Sequence, residues 1–432
     1  MNIAKRLREV ANLYHAYPRE AVLFILASFV NSTGSAFMWP LTTLYVHNVL
    51  HRSIGEAGFA LMLQSLAGIA GQFFGGAMYL RLGAKGLIVG SLTLVATAQL
   101  LVPFTSDWVL YMVIMSIIGF LNAITMPAIQ AFIGFRWKKK RRELFNVVYV
   151  GNNLGLAVGT SLAGMLAAYS FSMTFWLNSV STFAFALFFY LFMRRIQVES
   201  TEELPVGQRP SILSDDSTWQ LLSRYKLYLF LALGSAFVWF GSSVWGTGVA
   251  AYIDHEGMSI AAYSLLWTIN GIVIFAGQPI TSLIKHTIAK SLTAQLVASA
   301  CCYTIGFAFM LVFHQNYLAF VVGMVISTFG EMLKAPTIPA FITENAGEYA
   351  PFYLGVVGGL CSVGRLFGPL LLGRMYDAGG IVPVLLVATG AMAVAVLLYK
   401  IHALLHASKD SRSTQSPAQS RNLEADSASS SG

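Results

Sequence analysis

The feature that most constrains this chain is its alternation of long apolar runs with short polar breaks. Runs fall at about 21–46, 57–80, 86–105, 108–134, 144–168 and 171–193, then at about 225–252, 258–284, 288–313, 317–343, 351–374 and 381–404. Each is long enough to cross a bilayer as a helix, which takes about 20 residues. In hydrocarbon the backbone must satisfy its own hydrogen bonds, so runs of this kind fold as helices. Only 11% of the residues are charged while 56% are apolar, against roughly 25% charged in soluble domains. An ordinary soluble enzyme is therefore excluded. The expected fold class is an all-α polytopic membrane protein with twelve spans in two groups of six.

The longest polar interruption, 194–224, divides the spans evenly and reads as a connector between an N-terminal bundle (21–193) and a C-terminal bundle (225–404). Residues 1–20 form a basic lead-in without a small-residue cleavage site. Residues 405–432 are serine-rich, too polar to build a core, and are expected to be disordered. If both termini and alternate loops share one side, that side receives 23 of the 27 Lys and Arg residues. The positive-inside rule makes it the cytoplasmic face, here of a plasma (inner) membrane. The net charge of +8 is thus explained by orientation, and no nucleic-acid partner is expected. Cys301, Cys302 and Cys361 lie in apolar stretches without ligand spacing, so neither a disulfide nor a metal site is expected. No phosphate-binding glycine motif and no nucleophile–base pair occurs, so neither an enzyme nor a cofactor is expected.

Three charges stand deep inside spans. Glu331 is near the middle of the tenth, Lys334 follows three residues later, and Arg365 is near the middle of the eleventh. A charge at such depth costs several kcal/mol, on the order of 3 on insertion scales, and must face a partner or an aqueous space. Glu331 is either a proton- or substrate-binding carboxylate or one member of an ion pair with Lys334 or Arg365. Candidate cavity-lining groups are Asn31, Phe37, Gln64, Asn122, Tyr149, Asn153, Trp239, Trp267, Asn270 and Phe329. Amides can bind a substrate or tie helices together, and aromatic rings can stack on planar or cationic ligands. Small residues at helical spacing, Gly151, Gly155 and Gly159 in the fifth span and Gly355 and Gly359 in the eleventh, permit close helix contact.

The chain over about 18–404 resembles the major facilitator superfamily, which has two six-helix halves around a central substrate cavity. The stretch from Gly76 to Lys85 is similar to that family's signature between spans two and three, matching at Gly76, Arg81, Gly83 and Lys85, with Leu80 in place of the usual acid. The stretch from Asn153 to Gly159 resembles the opening of the antiporter signature, with Thr160 where proline often follows. In the fourth span Met115 stands where proton-coupled members often carry arginine. Gly330-Glu331-Met332-Leu333-Lys334-Ala335-Pro336, followed by Tyr353-Leu354-Gly355, resembles the twelve-span drug:proton antiporter branch. This resemblance implies gating roles for Gly76, Arg81, Gly83, Lys85, Gly155 and Gly159. It also implies proton-coupled export of amphipathic or cationic organic compounds, with protons as coupling ion and a monomer sufficient. The alternative is a transporter for a specific metabolite, with Lys334 and Arg365 binding an anionic group, or a facilitator without ion coupling.

Overall fold

The structure, a computed structural model, describes residues 18–38, 42–52, 54–199, 226–258 and 260–429. Residues 1–17 of the lead-in and 200–224 of the connector lie outside the described residues. Helices account for the architecture, and no strand occurs among the described residues. In chain order the spans are α1 Arg19–Met38, α2 Glu56–Tyr79, α3 Arg81–Phe104, α4 Trp108–Arg136, α5 Arg141–Tyr169 and α6 Phe171–Glu199. The second set is α7 Lys226–Ser242, α8 Ala262–Ala276 with Gln278–Thr287, α9 Leu292–Val312, α10 Tyr317–Asn345, α11 Ala350–Gly379 and α12 Ile381–Ser429.

Ten helices among the described residues are long and apolar enough to cross a bilayer, and the two pieces of α8, bent by 58°, make an eleventh. The remaining member, α5, has 29 residues and packs within the N-terminal bundle against α1 and α6. Its Asn146, Asn152 and Asn153 make it less apolar than its neighbours. Two ends differ from expectation. α6 continues to Glu199, taking in the first residues assigned to the connector, because no glycine or proline intervenes before Pro205. α12 continues to Ser429 through the serine-rich segment expected to be disordered. No glycine between Leu404 and Ser429 supplies a C-terminal stop there.

Each half repeats one pairing scheme. In the first, α1 packs on α5 and α6, and α3 on α4 and α6. In the second, α7 packs on α11 and α12, and α9 on α10 and α12. Such internal repetition is the usual construction of a transporter built from two related bundles. Apolar side chains that point away from the bundle stay exposed, among them Val180 and Leu187 on α6 and Leu386 and Leu397 on α12. On a water-soluble protein such a surface would aggregate; in a membrane it is the lipid contact.

Near the start of α3 the chain kinks at Gly83, whose φ of 70° is the left-handed value that favours glycine. The matched signature therefore has a structural basis at that position. Gly76 lies against Pro351, Phe352 and Gly355 of α11, so close that a Cβ on Gly76 would meet the Pro351 carbonyl. Gln72 and Phe73 occupy the space over Gly358 and Gly359. Backbone-to-backbone packing of α2 on α11 thus closes one half against the other near the basic end of the molecule.

Candidate substrate site and the clasp between the halves

The site at mid-membrane is set by α7, α10 and α11. On α11, Gly364 faces the Ala236 carbonyl of α7 and Gly368 faces Ser243 and the Phe240 carbonyl, with no room for a side chain at either glycine. This close approach brings Arg365 over the Trp239 ring, with Cζ 3.9 Å from its centroid. On α10, Lys334 reaches the same indole, its Nζ 4.9 Å from the Trp239 centroid and 5.6 Å from that of Tyr303. One ring therefore collects both mid-span cations through its π face. Lys334 is 5% exposed, whereas Arg365 remains accessible.

Glu331 does not neutralise them. Among the described residues no ion pair within 4.0 Å joins Glu331 to Lys334 or Arg365. Three residues apart, Glu331 and Lys334 leave α10 toward different neighbours. Oε2 of Glu331 accepts from Nδ2 of Asn270 on α8 at 3.3 Å, and the same amide donates to Thr328 Oγ1 at 2.9 Å. Tyr149 of α5, in the other half, lies within electrostatic range of Glu331, and its hydroxyl is buried without a hydrogen-bond partner. Proline at 336 and 339 leaves the carbonyls of Met332 and Ala335 without their helical donors, so the stretch holding Lys334 is locally polar as well as charged.

The other candidates divide. Asn270, Tyr149 and Trp239 join the Glu331–Lys334–Arg365 group. Phe329 instead packs over Gly277, where α8 breaks. Gln64 lies over Gly119 between α2 and α4. Asn153 donates to its own helix at the Tyr149 carbonyl, 2.9 Å away. Trp267 is exposed and meets the edge of Tyr263. Asn122 is exposed, while Asn31 and Phe37 are half-buried. Gly155 and Gly159 abut Phe29, Ser32, Thr33 and Ala36 of α1, an interface inside the N-terminal half rather than between halves. Arg81 is exposed, and Lys85 stands 4.9 Å over the Tyr190 ring of α6.

A second constellation escaped the sequence reading. At the basic end, Arg142 of α5 makes a two-point contact with Glu344 of α10, Nε to Oε1 at 2.7 Å and Nη2 to Oε2 at 2.6 Å. Arg141 lies 3.3 Å from the same carboxylate and donates to the Thr343 carbonyl at 2.7 Å. Beside them, Asn146 donates to Gln278 at 3.1 Å and accepts from Lys285 at 3.3 Å, joining α5 to the second piece of α8. These contacts tie the halves together where α2 meets α11. The available signal was an acid, Glu344, at the end of a span on the face that carries most of the basic residues. Glu344→Gln keeps the size but weakens the paired geometry. It is expected to cost about 1–2 kcal/mol of closure and to accelerate amide exchange in residues 134–146 and 343–355 roughly tenfold, as measured by hydrogen exchange in lipid nanodiscs.

Two bundles of repeated design, clasped at one end and holding unpaired charge at mid-span, define a secondary transporter of small organic molecules. The sequence profile of the Major Facilitator Superfamily matches residues 24–369, and the chain belongs to that superfamily; it is a transporter rather than an enzyme. It is 35% identical over 366 residues to the uncharacterized MFS-type transporter YttB of Bacillus subtilis (strain 168), covering 84% of this chain and 90% of the relative. Multidrug resistance protein 2 of the same organism is 21% identical, over 83% of this chain and 90% of that one. The crystal structure of the human organic anion transporter MFSD10 superposes with a TM-score of 0.68 at 14% identity, covering 89% of this chain and all of the other.

Proposed function

We propose that this protein carries an organic anion across the membrane, with Lys334 and Arg365 receiving its charged group and Glu331 exchanging a coupling proton. The observation that supports this reading is the pair of mid-span cations gathered on Trp239 with no carboxylate among the described residues within ion-pair distance. Two cations against one acid leave the site electropositive. A substrate carboxylate, sulfonate or phosphate would supply the missing charge, and the Arg365 guanidinium can engage it with two parallel hydrogen bonds. Aromatic rings at Trp239 and Tyr303 would flank an apolar body. Alternating access then exposes the site to either face as the clasp between α5 and α10 forms and releases. By the distribution of basic residues, the clasped end faces the cytoplasm of a plasma membrane, and one copy of the chain suffices.

A second reading, proton-coupled export of amphipathic cations, draws on Glu331 among aromatic rings and on the name of the 21%-identical relative. The deciding experiment uses the purified chain in liposomes with an imposed pH gradient, comparing labelled aromatic carboxylates with fluorescent lipophilic cations. Saturable carboxylate flux that other organic anions inhibit is the expected result. Gradient-driven flux of the cations with none of the carboxylates would overturn the anion reading and favour the second.

A further inference from the structure

We infer that Trp239 makes Arg365 selective for a flat, singly charged group, so that the organic anion is a monocarboxylate in preference to a sulfonate or a phosphate ester. The inference rests on the anion reading of this site. It begins with how firmly the two side chains are held. Gly364 and Gly368 lie one turn apart on α11, with Arg365 between them. Gly364 meets the Ala236 carbonyl of α7, and Gly368 meets Ser243 and the Phe240 carbonyl. Those partners bracket Trp239 in the same way. The two backbones are therefore pinned on both sides of the stack, and the indole and the guanidinium have little freedom to slide apart.

At 3.9 Å from the Trp239 centroid, Cζ of Arg365 is in carbon–carbon contact with the ring. That is the spacing of a guanidinium laid flat on an indole. The stack uses one face of the fork and leaves its N–H edge for a ligand. Arg365 is accessible, whereas Lys334, 4.9 Å from the same centroid, is 5% exposed. A ligand thus touches one cation and feels the other as a field, which suits a single negative charge.

Shape then decides among the anions. A carboxylate accepts from the fork with two oxygens in the guanidinium plane. Its carbon and the atom attached to it lie in that plane too, so nothing projects toward the indole. A sulfonate or phosphate is tetrahedral. Two of its oxygens can take the same two hydrogen bonds, but its other two substituents then stand above and below the plane. One of them is driven toward Trp239, where the layer spacing leaves no room and the π face repels an anionic oxygen. The tetrahedral group must tilt and give up one of the paired bonds. Loss of one charge-assisted hydrogen bond weakens binding about tenfold or more.

The test is calorimetric titration of the purified full chain in lipid nanodiscs with 2-naphthoate, 2-naphthalenesulfonate and 2-naphthyl phosphate, which share one apolar body. The carboxylate should bind at least about tenfold more tightly than either of the others. Arg365→Lys keeps the charge but not the planar fork, and should bring the three affinities within about threefold of one another. Trp239→Leu keeps the fork but removes the aromatic face, and should narrow the difference to a similar degree. Equal affinities in the wild-type chain, or tighter binding of the sulfonate or the phosphate, would overturn the inference and leave the anion reading standing. Full selectivity retained in both variants would overturn it as well, by placing discrimination away from this stack. Binding of lipophilic cations with none of the three anions would overturn the anion reading itself, and this inference with it.

Discussion

Glu331→Gln is expected to abolish pH-driven accumulation of substrate while exchange of substrate for substrate continues. One pH unit across the membrane is worth about 1.4 kcal/mol per proton and so supports up to about a tenfold concentration ratio. A glutamine at 331 can still accept from Asn270, so the packing between α8 and α10 should survive. It cannot take up and release a proton. The accumulation ratio should fall to about one in liposomes carrying the gradient, with the counterflow rate within a factor of about three of wild type. Accumulation that persists at the wild-type ratio would leave Glu331 as a structural hydrogen-bond acceptor and move the coupling elsewhere.

Neutralising the cations should separate stability from function. Arg365→Gln removes the group best suited to bidentate binding of an anion. The lost charge-assisted hydrogen bonds are worth about 1.5–3 kcal/mol, so the apparent affinity for organic anions should fall roughly ten- to hundredfold in a competition assay. Lys334→Met replaces a nearly buried ammonium by an apolar chain of similar length. Removing an uncompensated charge from a buried position should stabilise the folded chain by about 1–3 kcal/mol, even as anion affinity drops. Gain of thermal stability with loss of binding is the signature of a charge retained for function. A variant that loses stability and retains affinity would assign Lys334 to the scaffold.

Much of this architecture was legible in the linear chain because depth in a membrane is nearly a one-dimensional property. Hydropathy and span length are local, so the twelve helical segments follow from the residues in order. The same logic marks Glu331, Lys334 and Arg365 as unusual, since a charge within a span is conspicuous whatever surrounds it. Gly83 was legible as part of the link between the second and third spans because the matched signature lies there. The polarity of α5 was visible too, in Asn146, Asn152 and Asn153, although its use was not.

What the chain alone left open is which faces meet. Glu331 and Lys334 stand at a spacing that permits an ion pair, yet Lys334 turns to Trp239 and Tyr303 while Glu331 turns to Asn270. That choice depends on Gly364 and Gly368 admitting α11 close to α7, which sets where the indole lies. Arg142 and Glu344 are 202 positions apart, and no local pattern couples two helix ends at that separation. Gly155 and Gly159 carry the small-residue spacing of a moving interface but pack inside one half. The sequence by itself determined the helices, their depth and the charges buried among them, because those depend on each residue's own transfer into the membrane. Only the tertiary structure decided the partners, because a contact is settled by shape and by competition among several neighbours for the same side chain.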